Sequence, residues 1–363
     1  MFEKIKVTAL KLKTSELPSE KTQDYDLPAL TAGIQNQGLN NFVSRKNATI
    51  LKNVISISAN GANTGATFYQ SHDFTILQDA YAVKWKQNEN LLTDNQYLFC
   101  VGTISKVIYG NYEWTNKAGW EKIKNENIQL PITSTGEINF AFMENFISEL
   151  EEERISELNA YLEVTGLKDY TLTPEEEKFL KDFEKMEWGE FEIGELFDFL
   201  TSKKRFDANK VKILENGNYP YIVRTSLNNG TKGYLNENEE YLNSGNTISF
   251  GQDTATIFYQ KEPYFTGDKI KIVKAKDDLF NAKNALYFLT SMNKSFQVYS
   301  WGSSSFNVDI LSKEKMFLPL QNNSLNYPFM ETFISAIQKL VIKDVVLYAD
   351  KKINATKNVI HIS

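Results

Sequence analysis

The sequence has too few cysteines and histidines for the commonest disulfide and metal chemistry. Cys100 is the only cysteine, and His72 and His361 are the only histidines, among 363 residues. Disulfide frameworks and Cys/His zinc sites are therefore excluded by number. A Cys–His nucleophile pair is still possible by count, but Cys100 lies in the apolar run YLFCV, which predicts a buried thiol with a structural role.

Long hydrophobic runs are also missing. No stretch approaches the roughly 18 consecutive apolar residues that indicate a membrane span, and the opening MFEKIKVTALKLKT lacks the apolar block and cleavage site of a signal peptide. We therefore expect a cytoplasmic protein with no membrane partner. The composition, 42% apolar and 24% charged, is typical of globular proteins, and the length suffices for about two domains.

The motifs of common catalytic sites are absent too. The sequence contains no G-x-x-x-x-G-K-[ST] phosphate loop, no H-E-x-x-H, no EF-hand loop and no G-x-S-x-G. It also has no Asn-Pro-Pro-aromatic methyltransferase motif and no carboxylate-carboxylate-lysine nuclease cluster. Glu175, Glu176 and Glu177 lie at a predicted helix start, where they favour the helix dipole and are expected to face solvent. These absences favour a binding or specificity role with no catalytic, cofactor or metal site.

Acidic charge is concentrated in one short segment. The net charge is −6, yet residues 136–187 alone carry 5 Lys and Arg against 15 Asp and Glu, whereas residues 1–135, 188–321 and 322–363 each lie within two charges of neutral. The overall acidity argues against nonspecific binding of nucleic acid by the whole chain. The near-neutral segments still leave nucleic acid open as a partner.

The second half of the chain repeats the first half in the same order, about 190 residues later. LPALTAGIQNQGLNNFV from Leu27 matches YPYIVRTSLNNGTKGYL from Tyr219, and ISANGANTGATFYQ from Ile57 matches ISFGQDTATIFYQ from Ile248. Three shorter matches follow, namely Phe74-Thr75 with Phe265-Thr266, IQLPI at 128–132 with MFLPL at 316–320, and FMENFIS at 142–148 with FMETFIS at 329–335. Solenoid repeats span only about 20 to 50 residues, so the pattern indicates two copies of a domain plus a helix, with two similar sites.

Each copy is predicted to be an α+β domain with a curved sheet. Short β-rich runs between Gly/Asn turns predict strands, at 53–59, 66–70 and 80–85 in the first copy and at 246–250, 256–260 and 270–275 in the second. A helix follows in each copy, at 92–105 and at 281–295. The Leu-Pro pairs at 130–131 and 318–319 then predict an exit from extended chain.

After each domain the apolar spacing becomes helical. Phe142, Phe146 and Leu150 begin one apolar stripe, and Phe329 and Phe333 begin another. The first helix is rich in glutamate and the second in lysine, so we expect them to pack as an antiparallel coiled-coil spacer; the alternative is that each helix only covers its own domain. A further short helix is expected after Thr173-Pro174. The predicted organisation is a first domain at 1–135, a helical spacer at 136–187, a second domain at 188–321 and a second spacer at 322–363.

In this order the residues resemble the specificity (S) subunits of type I restriction-modification systems and the similar S subunits of type IIB systems. The resemblance covers nearly the whole chain and rests on WGEFEIGELF at 188–197, on NNGTKGYL and ISFGQDTATIFYQ, and on FLPL before a long helix. It implies two tandem target recognition domains, each reading one half of a split DNA sequence, and helices that fix the spacer and hold methyltransferase (M) subunits. The first copy has no match to WGEFEIGELF, so either its domain begins differently or the chain was once part of a longer fusion.

The resemblance also implies the partners. These are double-stranded DNA and M subunits, and S-adenosylmethionine would be bound by the M subunit rather than by this chain. It leaves open whether a restriction (R) subunit takes part, and whether the system is of type I or type IIB.

Polar, glycine-punctuated loops are the predicted DNA-reading surfaces, because side-chain amides and Arg forks read base edges while Lys and Arg bind phosphates. The candidates in the first copy are Gln35, Asn36, Gln37, Asn40, Asn41, Arg45, Lys46, Asn60 and Asn63. The candidates in the second copy are Lys203, Lys204, Arg205, Arg224, Asn228, Asn229, Thr231, Lys232, Gln252 and Asp253. The basic run SKKRF at 202–206 is expected to contact phosphate.

The sequence leaves three alternative interpretations of these features open. Asn and Gly are also the ordinary residues of turns, so any one candidate could be purely structural. The duplicated domains could form a bivalent carbohydrate- or protein-binding module with no DNA role. The chain could also be a nuclease whose carboxylates converge only in three dimensions.

Overall fold

The computed structural model describes residues 1–86, 92–296 and 307–360 of the chain, so His361 lies outside the described residues. It divides into two compact units, Met1–Leu158 and Asn159–Ser363, which we call unit 1 and unit 2. Both units mix helices and strands, as predicted. None of the helices in the described ranges is both long and apolar enough to cross a membrane.

Unit 1 contains two sheets. Its strands are β1 (Phe2–Lys4), β2 (Leu27–Leu30), β3 (Leu39–Val43), β4 (Val54–Ser58), β5 (Thr67–Gln70), β6 (Thr75–Ile76) and β7 (Ala80–Trp85). The four-stranded sheet has the order β1-β7-β4-β5 and is antiparallel throughout. The three-stranded sheet has the order β3-β2-β6, with β6 parallel to β2.

Three helices complete unit 1. They are α1 (Asp94–Ile108), α2 (Trp120–Ile123) and α3 (Phe140–Val164), the last of which continues into unit 2. Thr93 and Gln96 form a reciprocal capping box that fixes the start of α1. Cys100 of α1 is fully buried in the core that α1 shares with the four-stranded sheet. This confirms the predicted burial of the thiol, and burial raises its pKa to about 12.

Unit 2 repeats both sheets and adds a third. Its helices and strands are α4 (Pro174–Asp182), β8 (Glu187–Glu192), α5 (Ile193–Leu196), β9 (Phe197–Thr201), β10 (Tyr219–Ile222), β11 (Thr231–Leu235), β12 (Thr247–Gly251), β13 (Thr256–Gln260), β14 (Phe265–Thr266), β15 (Ile270–Ala275), α6 (Ala282–Phe296), α7 (Val308–Leu311), β16 (Lys315–Gln321), β17 (Ser324–Leu325) and α8 (Tyr327–Ile360). The sheets β13-β12-β15-β9 and β11-β10-β14 have the same strand order and directions as those of unit 1. The third sheet, β17-β16-β8, includes the start of WGEFEIGELF.

The duplication predicted from the sequence is therefore present, but two of its alignments were out of register. Ile55 pairs with Tyr69, and Ile248 pairs with Tyr259, so ISIS at 55–58 rather than ISAN from Ile57 matches ISFG at 248–251. The repeated Ile-Ser dipeptide concealed this shift, because the loop after β4 is longer than the loop after β12.

The second misalignment is a shift of one residue. Thr75 pairs with Ala29, and Phe265 pairs with Tyr221, at equivalent places in the two small sheets. Phe74 therefore corresponds to Tyr264, and the Phe-Thr dipeptides match only by chance.

Each unit also contains the same set of internal side-chain hydrogen bonds, and these bonds identify equivalent residues. The Gln70 amide donates to the Ser56 hydroxyl over 3.0 Å, and the Gln260 amide donates to the Ser249 hydroxyl over 3.0 Å. The Tyr69 hydroxyl donates to Asn53 and the Tyr259 hydroxyl donates to Asn246, and both asparagines have positive φ. These bonds hold the same strand pair together in both units.

The long helices lie where the apolar stripes predicted them, as α3 and α8. Their packing as an antiparallel coiled coil stays a prediction.

Two local expectations were wrong. Pro319 lies within β16, opposite Trp188, and the strand continues to Gln321, so the Leu-Pro pair does not end it. Glu176 is buried rather than solvated, because its carboxylate accepts hydrogen bonds from Ser335 and Lys339 of α8.

Candidate nucleic-acid interface

Equivalent tight loops join the first two strands of each small sheet. Asn36 and Gln37 in unit 1 have φ of 45° and 57°, and Asn228 and Asn229 in unit 2 have φ of 47° and 52°. A glycine follows each pair; at Gly38, with φ +88°, a Cβ would come within 2.8 Å of the Thr31 carbonyl oxygen. Consecutive left-handed residues strain ordinary side chains but suit asparagine and glycine. The loops therefore present exposed amides on a fixed backbone.

In unit 2 this loop is fastened to the edge strand β13. The Asn229 side chain donates to the Tyr259 carbonyl oxygen at 3.0 Å, and the Gln260 side chain donates to the Asn229 carbonyl oxygen at 3.1 Å. Asn228 donates to the Thr231 carbonyl oxygen at 3.3 Å. The side-chain NH2 groups of both asparagines therefore hold the loop in place, while Gln35, Asn36 and Gln37 of unit 1 are simply exposed.

A charged cluster, which we call the unit 2 corner, lies where β12 ends and β15 begins. It consists of Arg224, Asp253 and Lys269. Arg224 Nη1 donates to Asp253 Oδ2 at 2.6 Å, and Lys269 Nζ donates to the same oxygen at 2.7 Å. Lys269 is the main cause of the lowered pKa of Asp253, and Arg224 adds to it against the effect of burial. One carboxylate thus positions two cations that remain partly exposed.

The unit 1 corner has different side chains at equivalent backbone positions. It consists of Asn60 and Asp79, and Asn60 Nδ2 donates to Asp79 Oδ1 at 2.7 Å. The Asp79 carbonyl accepts from the backbone of Ala59 at 2.8 Å, just as the Lys269 carbonyl accepts from Gln252 at 3.0 Å. The unit 1 corner therefore offers a carboxylate where the unit 2 corner offers an ammonium group.

The basic run after β9 leaves the sheet at the same end as Lys269. Thr201, the last residue of β9, is paired with Lys271 of β15. Lys203 and Arg205 are exposed, and Arg205 lies 3.6 Å from Asp268. Lys204 Nζ lies 4.8 Å from the centre of the Phe206 ring and 4.3 Å from that of Tyr241. Cation–π contacts of this kind hold a lysine in one place while leaving its charge available.

Two candidates of unit 1 are engaged inside the unit. Asn41 is 9% exposed and donates to the carbonyl oxygens of Thr14 and Leu17. Arg45 bridges Asp26 and Asp73 at 2.8 and 2.9 Å. Hydrogen bonding to Asp73 and then to Asp26 raises the pKa of Arg45. These contacts tie together segments of unit 1 that are distant in sequence.

The remaining candidates lie at strand ends and turns on the surface. Asn40 donates to the Thr31 hydroxyl at 2.6 Å. The others are Lys46, Asn63, Thr231, Lys232 and Gln252, of which Lys46 and Lys232 are exposed and Asn63, Thr231 and Gln252 are half-buried.

Sequence reasoning missed Asp79, Lys269 and Lys271. Asp79 and Lys269 are separated by 190 residues, the spacing of the FYQ repeat, and both have positive φ, at 63° and 56°. Comparing the two copies position by position after the FYQ repeat would have found them. Lys271 was hidden inside an apolar strand, although its Nζ reaches the Thr201 hydroxyl at 3.0 Å.

Metal ligands do not converge in the part of the chain that the structure describes, since no group of three or more His, Cys, Asp or Glu residues there could hold a metal ion. The corners instead carry donors and acceptors suited to binding.

Comparisons with known proteins agree with the division of the chain into two similar units. The family model described as the type I restriction modification DNA specificity domain matches twice, at residues 2–160 and 185–347. The chain is 33% identical over 154 residues to the specificity subunit S.BcgI of a type II restriction enzyme from Heyndrickxia coagulans. That match covers 42% of this chain and 44% of the relative, so it spans less than half of the relative's length.

Among solved structures, the chain is similar to the S subunit of a type I restriction-modification system from M. genitalium. The TM-score is 0.50 at 14% identity, and the match covers 99% of this chain and 94% of the other. An HsdS subunit from Thermoanaerobacter tengcongensis matches with a TM-score of 0.33 at 10% identity over 96% of this chain and 91% of the other. At this identity the first likeness concerns the fold alone.

Proposed function

Since the chain belongs to the family of type I restriction modification DNA specificity domains, as its sequence indicated, we propose that it is the specificity subunit of a restriction-modification complex. Each unit reads one half of a bipartite sequence in double-stranded DNA. The helices α3 and α8 hold the units at a set spacing and dock methyltransferase subunits. This function places the protein in the cytoplasm with the DNA.

The observation that supports this proposal most directly is the pair of matched corners. Lysine and arginine recognise the O6 and N7 acceptors of guanine, whereas aspartate accepts from the N4 amino group of cytosine. The unit 2 corner presents Arg224 and Lys269, and the unit 1 corner presents Asp79. One framework with opposite chemistry at the same place suits two domains that read different half-sites.

Affinity for DNA is expected to be weak without a partner. Binding of duplex DNA draws heavily on counterion release from phosphates, and both domain segments are near neutral. The exposed Lys203 and Arg205 supply a few phosphate contacts near the unit 2 corner. The methyltransferase subunits supply the others.

Catalysis belongs to the partner in this proposal. Methylation of a base requires that the base be flipped out of the duplex and that S-adenosylmethionine be held next to it. We assign both tasks to the methyltransferase subunit and none to this chain. A restriction subunit would add cleavage to the same assembly.

Co-expression with a methyltransferase subunit from the same host tests the proposal. The two proteins should co-purify, and the genome of the host should acquire methylation at a two-part motif with a constant gap. Cells that express the methyltransferase alone should lack this motif. An unchanged methylome in the presence of both proteins would contradict the proposal.

A further inference from the structure

In unit 2 an aromatic face of α8 is covered by α4. The Phe179 ring lies 5.4 Å from Phe329, and the Phe183 ring lies 4.8 Å from Phe333, between ring centres. Phe329 is fully buried as a result. The two covering phenylalanines are four residues apart, so they share one side of their helical segment.

Unit 1 has the same aromatic face without that cover. The match of FMENFIS with FMETFIS makes Phe142 equivalent to Phe329 and Phe146 equivalent to Phe333. Phe142 and Phe146 are 48% and 47% exposed, and Phe99 of α1 contacts both rings. We call Phe99, Phe142, Phe146 and the 39% exposed Leu150 the unit 1 aromatic face.

A neighbouring stretch of unit 1 also lacks the cover that unit 2 has. In unit 2, β8 follows α4 and pairs along β16 from Lys315 to Leu320. The equivalent residues of unit 1, 127–132, are described and lie outside the named strands. Both parts of the segment 174–192 therefore have no counterpart on unit 1 within the described residues.

Charge determines what kind of helix fits. In unit 2 the buried Glu176 of α4 accepts from Ser335 at 2.6 Å and from Lys339 at 3.0 Å. The residues of unit 1 equivalent to Ser335 and Lys339 are Ser148 and Glu152, and Glu152 is exposed. A glutamate at the Glu176 position would face Glu152 and be repelled, whereas a lysine or arginine there would pair with it. The α4 of a second copy of this chain is thus the wrong partner.

We propose that the unit 1 aromatic face binds a basic amphipathic helix of a different polypeptide. This helix carries two aromatic residues four positions apart, and it lies on unit 1 as α4 lies on unit 2. The apolar contact supplies affinity, and the charge of α3 selects against acidic helices. The inference rests on the contacts of unit 2 and does not depend on DNA reading.

Two stapled peptides test this against the full chain by fluorescence anisotropy. One has the sequence of residues 172–186, and the other has the same sequence with Glu175→Lys, Glu176→Lys and Glu177→Lys. The same hydrocarbon staple on the solvent side keeps both helical. We expect the lysine peptide to bind about fivefold more tightly, because repulsion between the Glu176 position and Glu152 becomes attraction, and the two other lysines add favourable charge beside the glutamate-rich α3. A lysine peptide with Phe179→Ala and Phe183→Ala controls for charge alone and should lose most of the binding.

Variants of the chain locate the site. Phe146→Ala should weaken binding of the lysine peptide severalfold, whereas Trp114→Ala, which removes a still more exposed aromatic side chain of unit 1, should not. Glu152→Lys should reduce the preference for the lysine peptide. Circular dichroism confirms that each variant is folded. Equal binding of the two peptides, or binding unaffected by both Phe146→Ala and Glu152→Lys, would overturn the proposal.

Discussion

Asp79 and Lys269 occupy the same backbone position in the two units and carry opposite charges. Each has positive φ, and each carbonyl accepts from the residue just beyond the end of the preceding central strand. Each side chain also pairs with that loop, Asp79 with Asn60 and Lys269 with Asp253. The duplicated framework has therefore been kept while the chemistry at this point has diverged.

Removal of the Lys269 ammonium group should relax specificity in one half-site. For Lys269→Ala we expect a loss of about 1–3 kcal/mol in binding of the cognate duplex by the assembled complex. The same substitution should weaken binding much less when the duplex is already altered at one position of the half-site read by unit 2. Anisotropy titrations on a panel of duplexes measure this, with Lys181→Ala on α4 as the control. A uniform loss across all duplexes would instead indicate a phosphate contact.

Asn246 is predicted to stabilise the fold of unit 2 strongly. Its φ is 52°, it accepts from the Tyr259 hydroxyl at 2.9 Å, and it donates to the Phe280 carbonyl oxygen at 3.0 Å. Asn246→Ala should lower the free energy of unfolding by about 2–3 kcal/mol, because alanine is strained at this φ and both bonds are lost. Asn246→Gly loses the bonds without the strain and should cost less in urea unfolding. Equal costs for the two variants would show that backbone strain is unimportant here.

Much of this fold could be predicted because the sequence is locally consistent. The β-rich runs between Gly/Asn turns marked β4, β5, β7 and their equivalents, and Thr173-Pro174 marked α4. The register of the repeats could not be fixed, because Ile-Ser occurs twice in succession at 55–58 and one loop is longer. Pairing across strands, which the sequence does not display, settled that register.

The candidate site could be predicted only in part, and for a different reason. Polar loop residues such as Asn60, Arg224 and Asp253 could be identified as candidates, but whether a polar group serves the fold or faces outward depends on contacts distant in sequence. Asn41 donates to the backbone of Thr14 and Leu17, and Arg45 is held by Asp26 and Asp73. Lys269 was missed because its partner Asp253 lies in a different loop, 16 residues earlier in the sequence.

The buried carboxylate of Glu176 should make stability depend on acidic pH. Burial raises its pKa, but hydrogen bonds from Ser335, the Thr173 backbone and Lys339 outweigh this and lower the pKa from 4.5 to about 2. Because the folded pKa is lowered, this stabilisation is fully present above about pH 4.5 and is lost as the pH falls towards 2. Glu176→Gln should therefore cost on the order of 2 kcal/mol at pH 7 and progressively less below pH 4.5.

Urea unfolding at a series of pH values checks this behaviour. Glu177→Gln, which changes an exposed neighbour on the same helix, is the matched control and should show no such trend. A constant difference between wild type and Glu176→Gln from pH 7 to pH 3 would contradict the assignment.

The length of α3 should set the gap between half-sites. Seven residues inserted after Glu153 would lengthen the helix by about 10.5 Å while keeping its apolar stripe roughly in phase. At 3.4 Å per base pair this corresponds to a change of up to about three base pairs in the methylated motif. The same insertion in the exposed turn at Gly136 should leave the gap unchanged. A constant gap in both variants would show that α3 is not the spacer.

The most direct test of two separate readers is methylome sequencing of cells that express the methyltransferase with wild-type chain, Asp79→Lys or Lys269→Asp. Each variant should alter or relax the bases in one half of the motif, a different half for each, and leave the other half and the gap as they are. Both substitutions acting on the same half-site, or neither changing the motif while the complex still methylates, would contradict the account.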